Sequence, residues 1–448
     1  MNNFKAGFSR VDITPPLGSM VAGYFIKRFA KKILDNLYVN ALAVSAAGKT
    51  AVILTADLCN IRGDSCNVVR DRVAEATGLD RSAIFIHCTH SHTSPALDVD
   101  FDSEIEIYYF KDVTLKMCSA ALMAIEDMKD ARLGVGTSTA PRISFGRRFR
   151  MKDGTVRTNP GVGNPDILEP IGEIDERVHL IRIDREGADS IAVVNFATHP
   201  DTIGGEVISA DWPGFVRTTL EAAIDGVKCI FINGAQGDVN HINVFPKPGE
   251  DNGLHKDFDD VDRGYEHSRH MGRVVAGAAL MVYGKVKYVD VDSLDFKEAV
   301  LQIPCNIPDP SEVPDAEKYN KMHAEGRDAE LPYKGMMLTT MLARWSRIVR
   351  MQNGPDTINV PVIGIKLGKI LFVGIGGEPF TGIGMTLKAE HSDLDLVLPC
   401  CLVNASKGYF PMMDSYVEGG YEAESSSFKP GVAELIIDGC NKLISELN

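Results

Sequence analysis

The stretch Ile84–Pro95, IFIHCTHSHTSP, runs an apolar β-branched strand straight into three histidines, His87, His90 and His92. It closes a pattern that occurs three times. Ala41–Asp57, ALAVSAAGKTAVILTAD, reads as strand, turn at Gly48-Lys49 and strand, and a helix-like stretch Cys66–Thr77 leads to the strand at Ile84. Arg177–Pro200, RVHLIRIDREGADSIAVVNFATHP, repeats the strand-turn-strand, followed by helical WPGFVRTTLEAAI (Trp212–Ile224) and the strand KCIFINGAQGD (Lys228–Asp238). Val360–Pro379, VPVIGIKLGKILFVGIGGEP, repeats it again, before a helix near Gly384–Glu390 and the strand LDLVLPCCLVN (Leu394–Asn404). Internal repetition exposes architecture before any single motif does. The strands are near-continuous Val/Ile/Leu/Phe runs, which implies burial on both faces by helices. The expected class is α/β, with layered mixed β-sheets flanked by helices and three strand-turn-strand-helix-strand pseudo-repeats.

The chain has 448 residues, more than one core normally supports, so two domains or one large α/β unit is expected. Hydrophobic residues at 44% and charged residues at 24% are ordinary globular usage. A region at about 285–355, with Pro-rich QIPCNIPDPSEVPD (Gln302–Asp315) and helical MMLTTMLARWSRIVRMQ (Met336–Gln352), reads as an embellishing or substrate-facing lobe, its Met-rich helix as packing rather than recognition. The net charge of −14 repels phosphate backbones and anionic surfaces, so neither nucleic acid nor stable membrane association is expected. The acidic run DFDDVD (257–262) reads as solvated surface. No apolar segment reaches the roughly 18 residues of a membrane helix, and MNNFKAGFSR lacks a leader pattern. Cysteines placed inside apolar strands behave as small buried hydrophobes, so a reducing cytoplasmic location is expected.

Polar residues gather where the strands end. Asp57, His199 and Glu378 follow the second strand of each unit. His90 with His92, Asn233 with Asp238, and Asn404 with Tyr409 follow the third. If the units are equivalent these positions converge at one end, where α/β proteins build sites. Alternate strand residues share a face, so His90 and His92 project together, and His87 joins them only if the strand bends. Neutral imidazole is the commonest metal ligand, and His199 and Glu378 would complete the three-ligand set of a catalytic zinc. The competing reading is a hydrogen-bonded strand terminus with satisfied core histidines. HExxH, paired CxxC, GxSxG and Walker motifs are absent, and GIGGEPF fails the dinucleotide fingerprint. Asp57, Asp211 and Asp238 are candidate carboxylates to orient the imidazoles. They are equally candidate caps, since Pro213 follows Asp211 closely in SADWPG.

Four blocks, in collinear order across nearly the whole chain, resemble the neutral ceramidase family. THSHTSP (Thr89–Pro95) is similar to their THTHSGP, and NFATHP (Asn195–Pro200) with SADWPG (Ser209–Gly214) to their NFAxHP…SxD. GGEPFTG (Gly376–Gly382) is similar to their PGEFTT, and the run from Asn404 through Tyr409 to Tyr421-Glu422 to their NxYxxY…RYEG. The resemblance implies one ceramidase-like catalytic domain over 1–448, with zinc held by His90, His199, Glu378 and Tyr409. It implies that His92 and Tyr421 face the substrate carbonyl and that Arg147 in FGRRFRMKDG binds substrate, Arg148 being the alternative register. Two departures are expected to matter. The family serine of GDVSP is Asn240 in GAQGDVNH, and an amide cannot serve as a nucleophile, so Asn240 is expected to hydrogen-bond substrate or the metal water. The C-terminal immunoglobulin-like domain of the lipid-acting enzymes is also expected to be absent. The implied activity is zinc-dependent hydrolysis of a linear amide, an N-acyl compound less lipidic than ceramide, by a metal-bound water. The alternatives are hydrolysis of an ester or lactone by the same water, and a metal-binding homologue without catalysis.

Overall fold

The computed structural model describes residues 4–62, 64–98, 100–101, 103–248 and 264–447, so the acidic run 257–262 lies outside the described residues. Each repeated segment folds as one unit, an antiparallel pair followed by a helix and a third strand parallel to the second. In the first unit Tyr38–Ala46 pairs with Lys49–Ala56, helix Ser65–Thr77 follows, and Ile84–Cys88 runs parallel to Lys49–Ala56. The second has Arg177–Arg185, Ser190–Phe196, helix Asp211–Ala223 and Val227–Asn233. The third has Thr357–Leu367, Ile370–Ile375, helix Thr381–Glu390 and Leu396–Cys400. The first hairpin closes on Ala47 and Gly48, both left-handed at φ 50° and 77°, the handedness that matches strand twist.

Two units share a nine-stranded sheet, joined through Lys129–Thr139 and Lys5–Asp12. The third unit and Leu294–Pro304 form a separate four-stranded sheet. The reason for the unbroken apolar runs lies in the period of two. From Lys49–Ala56, Val52, Leu54 and Ala56 face the core that includes Val69 and Met117 of the helices Ser65–Thr77 and Glu104–Glu126. Ala51 and Ile53 face Ile365 and Phe372 of the small sheet. Ser190–Phe196 divides likewise, with Val194 and Phe196 toward Trp212 and Val275, and Ile191 and Val193 in the core between the sheets. In Ile370–Ile375, Leu371 and Val373 meet Leu387 and Ile436, while Phe372 faces the large sheet. The result is four layers, helix, sheet, sheet, helix. The expectation of helices on both faces is corrected here, because one face of each sheet is covered by the other sheet. An apolar run reports that a strand is buried, not what buries it. Each such Leu, Ile or Phe contributes roughly 1.5–3 kcal/mol.

The helices Val313–Ala324 and Gly335–Met351 pack on each other around Ala316, Leu331, Trp345 and Ile348. This lobe begins only after Pro304, because Lys287–Val289 and Leu294–Pro304 belong to the sheets. Among the described residues no helix is long and apolar enough to cross a membrane.

Two asparagines stitch the unit ends together. The Asn233 amide donates to the carbonyls of Thr89 (3.2 Å) and Thr198 (3.1 Å), joining units one and two. Asn404 accepts from the Ile86 N–H (2.9 Å) and donates to the Ile84 carbonyl (3.3 Å), joining units one and three. The ends of all three units therefore meet.

Candidate metal centre

His87 remains in its strand, fully buried and satisfied: its Nδ1 lies 3.3 Å from Thr55 Oγ1, and its Nε2 accepts from the Asn233 N–H at 3.1 Å. Burial lowers its imidazole to about 3, so it stays neutral. The strand stops at Cys88. His90 is left-handed at φ 75°, and its amide donates to the Leu58 carbonyl (3.0 Å), while the His92 amide donates to the Pro200 carbonyl (2.9 Å). His90 and His92 therefore converge through a kinked loop rather than by strand alternation, with their Nε2 atoms 3.3 Å apart.

His199 and Glu378 each stand three residues beyond the second strand of their unit, after Phe196 and Ile375. The matching position after Ala56 is Cys59, not Asp57. Its carbonyl accepts from His90 Nδ1 at 2.7 Å. Nδ1 of His199 faces the carbonyls of Gln236 (2.8 Å) and Val239 (3.1 Å) in the same way. A carbonyl only accepts, so both imidazoles carry their proton on Nδ1 and present the Nε2 lone pair inward. Oε2 of Glu378 lies 3.3 Å from His90 Nε2 and 3.2 Å from His199 Nε2. Glu378 pairs in parallel register with Tyr409, whose hydroxyl is 3.3 Å from His199 Nε2.

The ligand atoms of His90, His199 and Glu378 all fall within 4.8 Å of one another, and all three residues are buried. Two imidazole nitrogens and a carboxylate oxygen directed at one point form a donor set able to hold a metal ion. The three groups are also electrostatically coupled. Burial opposes charge on His90, yet the Glu378 carboxylate outweighs it and holds the imidazole well above its ordinary value. Burial likewise pushes Glu378 up, and His90 and His199 overcome it and hold the carboxyl well below the usual range. Burial and the Arg147 charge lower His199. A second grouping brings Cys59 together with His90 and His92, and there the Cys59 carbonyl already accepts from His90 Nδ1.

The three carboxylates proposed to orient the imidazoles do other work. Asp57 pairs with Arg217, Oδ1 to Nη1 at 2.8 Å and Oδ2 to Nη2 at 2.5 Å. Asp211 accepts from the Thr202 (2.9 Å) and Ile203 (3.1 Å) amides and from Ser268 Oγ (2.6 Å). Asp238 accepts from the amide (2.7 Å) and hydroxyl (2.8 Å) of Thr381, at the start of the helix after Glu378. Backbone carbonyls orient the histidines instead, and nothing in the side-chain sequence announces them.

A cavity of about 300 Å³ opens beside the cluster. His92, Arg147, Asn159, Asp201, Tyr409 and Tyr421 line its polar side, and Tyr24, Phe25, Ile26, Met336, Leu338 and Leu342 its apolar side. Arg147 donates Nε–H to Glu422 (2.5 Å) and Nη2–H to the Gly237 carbonyl (2.7 Å), beneath the rings of Tyr409 and Tyr421. Arg148 turns away to Ser415 and Glu418, so Arg147 is the arginine at the cavity. Asn240 is buried, accepting from the Ile242 N–H at 3.0 Å, with its amide 3.4 Å from Asn159, the residue that reaches the cavity. Burial raises the phenols of Tyr409 and Tyr421, which keeps Tyr421 a hydrogen-bond donor. Sequence reading missed Asp201, which adjacency to His199-Pro200 could have flagged, and Arg28, buried with Nη2 on the His92 carbonyl at 2.7 Å.

Comparison of the sequence with family models and with curated proteins finds no match. Solved structures do match. The neutral ceramidase from Pseudomonas aeruginosa superposes with a TM-score of 0.72 over 98% of this chain and 74% of that one, at 16% identity. A ceramidase complexed with C2 gives the same TM-score and coverage at 15% identity. The fold is ceramidase-like, as the motif resemblance implied.

Proposed function

We propose that the protein is a zinc-dependent hydrolase of a linear amide, an N-acyl compound with a single modest apolar chain. The observation that carries this reading is the convergence of two Nε2 lone pairs and a buried carboxylate on one point at the wall of an apolar cavity. His90, His199 and Glu378 fit zinc in donor type and number, with the Tyr409 hydroxyl as a fourth oxygen. A zinc ion held there supplies Lewis acidity toward a carbonyl and acidifies water to a pKa near 7.

The chain's own residues do the rest. Carbonyls of Cys59, Gln236 and Val239 hold both ligand imidazoles by Nδ1, so each Nε2 is already turned toward the site before an ion binds. Burial and His90 hold His92 well below its ordinary value, so it enters the reaction as a neutral imidazole; its position lets it take the proton that the attacking water gives up and deliver it to the amine as the C–N bond breaks. Tyr421 donates its hydroxyl to the oxyanion. The Arg147 charge, fixed by Glu422, supports both tyrosines. The Met336 and Leu342 wall takes the acyl chain, and the N-acyl reading rests on this apolar lining.

The test is zinc content per chain together with hydrolysis of a panel of N-acyl amines and matched esters. Zinc and activity lost together in His90→Ala/His199→Ala support the proposal. Turnover of the esters alone would move it to ester hydrolysis, and a wild type that cannot be loaded with metal would end it.

A further inference from the structure

Behind the candidate centre lies a second pair of imidazoles. His241 follows Asn240 on the loop whose Gln236 and Val239 carbonyls orient His199. It is 3% exposed, and its Nδ1 lies 2.9 Å from Asp201 Oδ1. That contact places the proton on Nδ1 and leaves the Nε2 lone pair pointing away from the carboxylate. Among the described residues Nε2 is buried without a hydrogen-bond partner. His267, in the first turn of the helix Tyr265–Tyr283, lies beside it with ring centres 5.7 Å apart, and among the described residues its Nδ1 is also buried without a partner. Buried unsatisfied nitrogens are rare enough to require an explanation. Two imidazoles ligating one ion through nitrogens ~2.1 Å from it have ring centres roughly 5–6 Å apart. The His90–His199 pair of the candidate centre is at 5.1 Å.

We propose that His241 Nε2 and His267 Nδ1 hold a second divalent transition-metal ion, completed by water, with Asp201 as the carboxylate that orients His241. A metal-ligating histidine commonly gives its other ring N–H to a carboxylate or a backbone carbonyl. Burial, with the neighbouring His241 and His270, lowers His267 to about 3, so it stands ready as the neutral ligand. The ion would tie the loop of Gln236–His241 to the helix Tyr265–Tyr283. Gly264 N–H to the Thr202 carbonyl (2.7 Å) and Ser268 to Asp211 (2.6 Å) join the start of the same helix to the stretch that follows Asp201. Its role is structural, holding in place the carbonyls that orient His199.

Metal stoichiometry after zinc loading and dialysis decides between an ion and a trapped water. The expected result is that His241→Asn/His267→Asn loses one equivalent relative to wild type, while His90→Asn/His199→Asn retains that equivalent. Asp201→Asn should weaken it roughly 10–100-fold in a cobalt(II) titration followed by visible absorption. His267→Gln, a single change near the helix start, repeats the measurement if the double variant does not fold. Wild-type stoichiometry in the folded His241/His267 variants would overturn the proposal.

Discussion

Asp57→Asn removes one charge from a pair that is entirely enclosed, with side chains 3% (Arg217) and 0% (Asp57) exposed. The amide keeps the shape and still accepts from the Tyr38 N–H, now 2.9 Å from Oδ2, but Arg217 is left as a buried cation without its counter-ion. Unit charges ~4 Å apart at an effective dielectric constant of 20 interact by about 4 kcal/mol, in line with the ~3–5 kcal/mol lost when one partner of a buried pair is removed. For 448 residues at ~2.1 cal/mol/K each, the unfolding entropy is roughly 0.9 kcal/mol/K, so the melting temperature should fall by about 3–5 °C. Differential scanning calorimetry reads the shift, and elemental analysis on the same sample should show metal content unchanged. Asp57→Leu/Arg217→Met should recover most of the loss, because an apolar pair of similar volume is often neutral or stabilising. A variant that melts like wild type but releases metal would refute this and return Asp57 to the role of orienting the imidazoles.

His92→Ala should retain metal while kcat falls by ~10²–10⁴, the usual contribution of a general acid–base, read by steady-state kinetics on the best substrate of the panel. If the proposed ion is held there, Glu378→Gln should empty the centre, since a neutral amide would not balance a cation placed between His90 and His199; elemental analysis checks it. Gly23 is at φ 102°, and a Cβ there would lie 2.6 Å from Cγ of His92, so Gly23→Ala should cost ~1–2 kcal/mol of stability and depress kcat without loss of metal. Asp211 is raised to about 6 by burial despite the Ser268 hydrogen bond. Its folded form thus binds a proton more tightly than the unfolded chain, so the stability it contributes is present below about pH 3.8 and is lost as pH rises through 6. A shift of this size is worth about 3 kcal/mol, and Asp211→Asn should flatten that slope in urea midpoints measured between pH 4 and 7.

The three units were legible because each second strand is buried on both faces, and this leaves an uninterrupted apolar run bounded by turn residues. The covering layer was not legible, since Ile53 and Val52 look alike in sequence although one faces a sheet and the other helices. His90 and His199 were legible as polar residues at strand ends. Cys59 was passed over for Asp57 because side-chain chemistry draws the eye to a carboxylate, while the group used at Cys59 is its carbonyl. The lobe's Met336 and Leu342 looked like packing, and only their placement opposite Tyr421 makes them a cavity wall.

Local patterning alone thus determined the unit plan and the residues able to bind a metal, because periodicity and ligand chemistry are properties of neighbours along the chain. Tertiary structure decided which of them share a site. The approach of His90, His199 and Glu378 comes from three unit ends drawn together by Asn233 and Asn404, and the direction of each Nε2 from carbonyls on other loops. Those contacts join residues far apart in sequence, and no local pattern records them.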